Sequence, residues 1–142
     1  MSIETTFEEL LKRANRDVKH RRTQVESKLQ CACVRWFRYQ YPKLSHALFS
    51  VPNGAYFAAK GAMEGARMKA EGLLPGVSDM ILLQHSGIYG ALLIEFKTKQ
   101  GRQNDAQKQW QQKMERDGYK YVIVRSLEEF QDAVNSYLGG KR

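Results

Sequence analysis

The stretch from Leu74 to Lys99, LPGVSDMILLQHSGIYGALLIEFKTK, constrains this chain more than any other. It reads as a turn, a strand, a hairpin at Ser86-Gly87 and a second strand. Asp79 begins the first strand; Glu95 and Lys97 end the second. Side chains alternate across a strand with a period of two, so Glu95 and Lys97 share one face while Ile94 and Phe96 share the other. A hairpin lays the two strands side by side and brings Asp79 near Glu95. The flanking run Ala91-Leu92-Leu93-Ile94 is apolar throughout, as in a strand buried on both faces. Two carboxylates and an ammonium in such surroundings are costly unless they pair or bind a cation. The pattern predicts a site for a hard divalent metal with a lysine beside it.

Glu-x-Lys alone carries little information. At about 6% per residue type, a chain of 142 residues has roughly an even chance of one by accident. This chain has two, Glu26-Ser27-Lys28 and Glu95-Phe96-Lys97. The first falls in a predicted helix, where positions i and i+2 do not face each other. The second falls on a strand, where they do. An edge-strand surface ion pair would be the bland alternative, and the apolar flank argues against it.

The rest of the chain supplies the scaffold. Helical spacing of Phe7, Leu10, Leu11, Ala14 and Val18 predicts a helix over 6–18, opened by a Thr6/Glu9 capping box. The basic run Lys19-His20-Arg21-Arg22 follows, read as a solvated face in preference to a linker or a phosphate contact. Val25, Leu29, Ala32, Cys33, Trp36 and Phe37 predict a second helix over 24–39. Glu26 lies at the edge of that stripe. It fits a capping box with Thr23 as well as a carboxylate aimed at the core edge. A short strand at 46–51, a Pro52-Asn53-Gly54 turn and a small-residue helix over 55–71 precede the central hairpin. A helix from Asn104 to Asp117, a strand at 119–124 and a helix opened by Ser126 and Glu129 follow it. That order predicts an α/β fold with a mixed sheet, antiparallel at the hairpin and parallel at the helix-linked crossover.

Composition narrows the partners. A formal net charge of +8 and a pI near 9.6 favour a polyanion, nucleic acid ahead of a membrane surface. No run of about 18 apolar residues and no secretory signal is present, which places the chain in the cytoplasm. Cys31 and Cys33 are the only cysteines, too few and wrongly spaced for zinc or for a mutual bridge. The candidate DNA contacts are Asn53, Lys60, Arg67, Lys69, Lys99 and Arg102. Phosphodiester hydrolysis adds negative charge to phosphoryl oxygens, and a divalent cation at Asp79 and Glu95 would neutralise it. Carboxylate oxygens suit Mg²⁺ or Mn²⁺. Lys97 could orient water or stabilise developing charge, and Gln107 could position water or phosphate.

This arrangement resembles the PD-(D/E)XK nuclease superfamily, and within it the VRR-NUC family, over roughly residues 24–138. The resemblance rests on Glu26 with Leu29-Gln30, Pro52-Asn53-Gly54, Lys69-Ala70-Glu71-Gly72, Pro75-Gly76-Val77-Ser78-Asp79, Glu95-Phe96-Lys97, Gln107, and Gly118-Tyr119 before an apolar strand. Ser78 departs from the proline usual before the aspartate. The resemblance implies a restriction-endonuclease-like core, a mixed four-stranded sheet flanked by helices. It implies Glu26, Asp79 and Glu95 as metal ligands, Lys97 as catalytic, and a domain over 23–142 with residues 1–22 as an extension. It also implies a phage or prophage protein, a homodimer that cuts branched DNA such as four-way junctions. Competing readings are a non-catalytic DNA-binding module of the same fold, a nicking or flap nuclease without junction preference, and a small-molecule enzyme with an Asp/Glu metal site.

Overall fold

The structure, a computed structural model, describes residues 3–52 and 61–139, and their side chains except those of residues 3–6 and 19–22. Its first element is a single helix, α1 (Ile3–Gln40), of 38 residues. The two helices expected over 6–18 and 24–39 are therefore one. The basic run between them holds no Gly or Pro, so nothing in it interrupts the backbone ladder. The first half of the helix stands clear of the sheet. The second half buries Cys33 and Phe37, with Leu29, Val34 and Trp36 packed beside them.

Pro42 at the first position of a 3-10 turn (Pro42–Ala47) ends that run. Then come β1 (Leu48–Ser50), α2 (Ala62–Ala70), β2 (Met80–Leu82), β3 (Leu92–Phe96), α3 (Asp105–Arg116), β4 (Lys120–Val124) and α4 (Leu127–Tyr137). The helix expected over 55–71 does not run unbroken: it starts at Ala62, where Gly61 caps it with a φ of +99° that no helix interior holds; residues 55–60, with the Asn53-Gly54 turn before them, lie outside the described residues. The four strands form one sheet in the order β1-β2-β3-β4. The pairs β1–β2 and β2–β3 are antiparallel and β3–β4 is parallel, the mixed sheet that the element order implied.

Alternation on these strands divides the sheet into two faces. Met80, Leu82, Leu92, Ile94, Phe96 and Val124 join the core with α1 and α4. There Phe96 stacks on Phe130 at 6.2 Å between ring centroids, and Trp36 meets Phe130 edge-on at 5.9 Å. Burying each such aromatic side chain contributes roughly 1.5–3 kcal/mol. Leu93, Glu95, Tyr121 and Ile123 have the opposite parity, and α3 covers them with Trp110 edge-on to Tyr121. No helix among the described residues is long and apolar enough to cross a membrane.

Candidate active site

The register of β2 and β3 places the site. Met80 pairs with Ile94, so the residue before Met80 lies opposite the residue after Ile94. Those residues are Asp79 and Glu95. The Asp79 carboxylate accepts a hydrogen bond from the Phe96 backbone N–H at 2.7 Å, which holds it against the end of β3. Ser78, buried, donates its hydroxyl to the Met80 carbonyl within the same turn.

Glu95 is 2% exposed, the only buried charged residue of the described core. The Gln107 amide donates to its Oε1 at 2.9 Å, the Tyr121 hydroxyl to its Oε2 at 3.3 Å, and the Lys97 ammonium stands 3.5 Å away. Burial raises the Glu95 carboxyl from 4.5 to about 8, and the facing Asp79 charge adds to the shift while Lys97 opposes it. Burial also raises Asp79, against the lowering effects of the Phe96 N–H, Lys97 and a hydrogen bond with Glu95. Burial thus favours the neutral form of both carboxyl groups, each facing the other's charge, and Lys97 offsets that only in part.

Gln107 reaches Glu95 because of how α3 begins. Asn104 accepts from the Gln107 backbone N–H while the Gln107 side chain accepts from the Asn104 N–H, a complete capping box. The side-chain nitrogen of Gln107 is left for Glu95. Gly76 presses the Asp79 turn against this same cap. Its φ is +87°, and a Cβ there would stand 2.6 Å from the Ala106 carbonyl carbon and oxygen. Only glycine meets both demands.

Two partners were not anticipated. Tyr121 holds Glu95, and Gln103 in turn donates to the Tyr121 hydroxyl at 3.2 Å and to Gln111 at 2.9 Å. Parity could have found Tyr121: in the parallel register it shares the face of Leu93 and Glu95. Arg125 was missed as well. Its guanidinium donates to the Thr98 and Gly101 carbonyls at 2.6 and 2.7 Å, stapling the loop after Lys97.

Of the anticipated site residues, the structure brings together Asp79, Glu95, Lys97 and Gln107. Glu26 is half-buried on α1. No helix starts at Thr23, so the capping-box reading of Glu26 is corrected. Among the described residues no group of three or more His, Cys, Asp or Glu gathers to hold a metal. Lys99 and Arg102 are exposed on the stapled loop and Lys69 is exposed on α2. Arg67 is engaged by Glu64 at 2.6 Å and Glu71 at 3.2 Å on its own helix. Asn53 and Lys60 lie outside the described residues. Cys31 and Cys33 are free thiols, Cys33 pushed up to about 12 by burial in the core.

A mixed sheet that ends an antiparallel pair with facing carboxylates, a lysine two residues on, and a helix leaning over them is the plan of a nuclease-type domain. The chain belongs to the VRR-NUC family: the model of the VRR-NUC domain matches residues 12–128. A solved structure described as a VRR_NUC domain protein superposes with a TM-score of 0.68 at 22% identity, over 80% of this chain and 88% of the other. No curated protein matches the chain.

Proposed function

We propose that this protein is a metal-dependent DNA endonuclease that acts on branched DNA as a homodimer. The observation that carries the reading is the buried Asp79–Glu95 pair with Lys97 beside it. Two facing carboxyl groups at the end of paired strands suit Mg²⁺ or Mn²⁺, which commonly takes one or two protein carboxylates and fills its shell with water and phosphate oxygens. Asp79 and Glu95 would hold it, and Glu26 is the candidate third carboxylate from α1. When bound, the cation neutralises charge on the phosphoryl group and lowers the pKa of water. The chain's own residues do the remainder. Lys97 orients the attacking water and stabilises the charge that develops on the phosphate. Gln107 and Tyr121 fix the Glu95 carboxylate, so its oxygens do not have to reorganise during the reaction. Lys69, Lys99 and Arg102 offer exposed positive charge to the DNA backbone.

The homodimer reading draws support from α1. It exposes Phe7, Leu10, Leu11 and Val18 in its first half and Val25 just beyond, at 47–62% of their surface. An apolar stripe of that length on a solvated helix calls for a partner. Two cuts placed symmetrically across a four-way junction need two sites related by a two-fold axis, which a dimer supplies. A phage or prophage protein acting in the host cytoplasm remains part of this reading. The deciding assay is incubation with linear, flapped and four-way DNA in Mg²⁺, Mn²⁺ or EDTA. Paired cuts across the four-way junction in either metal, and none in EDTA, are expected; undiminished cleavage in EDTA would refute the metal role. Equal nicking of linear and branched DNA would leave a nuclease without junction preference.

A further inference from the structure

On the far side of the sheet edge from the carboxylates, a groove of about 550 Å³ runs between α1 and β1. Arg35 and Arg38 line it from the helix, with Gln30, and Ser50, Phe49 and Met80 line it from the strands. No acidic residue is among its lining residues. Both arginines are exposed, and among the described residues neither makes a hydrogen bond or an ion pair. That separates them from Arg67, held by two glutamates, and from Arg125, spent on carbonyls. Residues three apart on a helix lie on one side, about 5–6 Å between Cβ atoms. Two long arginine side chains on one side of a helix can reach two phosphates of one strand, and arginine forks match phosphate oxygens. The pair therefore offers a charged fork for each of two phosphates.

The groove also connects to the catalytic side. Met80 follows Asp79 directly, Ser50 pairs with Met80, and the Val51 N–H donates to the Asp79 carbonyl at 2.8 Å. β1 is an edge strand, so a nucleic-acid strand can pass around it from the carboxylate face to the groove. Phe49, exposed at that edge, has the parity of Ile81 and Asp79 and lies at the turn of the path.

We propose that the α1–β1 groove binds the phosphate backbone of the DNA segment flanking the cut, through Arg35 and Arg38. The inference rests on DNA being the substrate, as proposed above. The test measures binding of a fluorescent four-way junction and a linear duplex in EDTA, where no cutting interferes. Wild type is compared with Arg35→Gln/Arg38→Gln and with a control of equal charge, Lys113→Gln/Arg116→Gln, at the far end of α3. The groove variant is expected to bind about tenfold more weakly, with a log–log salt slope shallower by about 1.8, and the control to change Kd less than twofold. Both groove side chains are exposed, so the melting temperature should stay at the wild-type value and exclude misfolding. Wild-type affinity and slope in the groove variant would overturn the proposal. So would an equal loss in the control, or no binding by wild type. A protein that binds through the groove yet cuts nothing in Mg²⁺ or Mn²⁺ would remove the catalytic reading and leave this one standing.

Discussion

At the residue scale, the site is a balance of charge around one buried carboxyl, Glu95. Asp79→Asn, Glu95→Gln and Lys97→Ala should each lower cleavage at least about 100-fold while leaving DNA binding close to wild type, since each removes charge and little packing. Glu26→Gln tests the third carboxylate in the same assay, with Thr23→Ala as its neighbour control; a fully active Glu26→Gln protein would release that residue from the ligand set. Glu95 also carries a pH signature. Its pKa rises from 4.5 to about 8 in the fold, so the folded protein keeps a proton that the unfolded chain gives up between those values. The associated stability is full below about pH 4.5 and lost as pH climbs through about 8. Metal-free protein should therefore melt at lower temperature at pH 8 than at pH 5. Glu95→Gln should flatten most of that slope, and Mg²⁺ or Mn²⁺ should raise the melting temperature more at pH 8, where no proton competes. Scanning calorimetry across that range with and without EDTA reads all three effects.

At the element scale, three segments meet at one point: the turn before β2, the end of β3 and the first turn of α3. Their junction depends on Gly76. Gly76→Ala adds a left-handed φ that alanine resists and a Cβ driven into the Ala106 carbonyl. The combined cost should be about 2–4 kcal/mol. Because the clash falls on the cap that orients Gln107, cleavage should drop by more than stability alone explains. Comparing activity well below the melting temperature with the fraction folded separates the two. A variant as stable and active as wild type would show that the turn can move without disturbing α3.

At the scale of the whole molecule, α1 does two jobs. Its second half builds the core; its first half extends about 20 residues, or roughly 30 Å, with its apolar stripe uncovered. If two copies share that stripe, Leu11→Glu/Val18→Glu should convert a dimer to a monomer in light scattering. The melting transition of the sheet domain should persist, because neither residue touches its core. The monomer should still nick one strand and lose paired cuts across a junction. A wild-type chain that is monomeric at micromolar concentration would remove the dimer.

Much of this was legible in the chain itself. Period-two alternation in β3 and the turn before β2 located Asp79, Glu95 and Lys97 because strand parity and hairpin pairing are local physics. Asn104 with Gln107, and Ser126 with Glu129, announced helix starts for the same reason, and both caps formed. The helix at 3–40 looks like two in sequence because Thr23 and Glu26 mimic a cap after a basic run, yet without Gly or Pro the backbone ladder runs straight through them. What sequence could not supply was proximity between distant segments. That Gly76 must be glycine is decided by the Ala106 carbonyl, thirty residues away. That Tyr121 holds Glu95 is decided by the parallel register that sets Tyr121 beside Leu93 and Ile123 beside Glu95. And that Arg35 and Arg38 stand unpaired over a groove, while Arg67 is held by its own helix and Arg125 by a loop, is settled only when the side chains find, or fail to find, their partners in space.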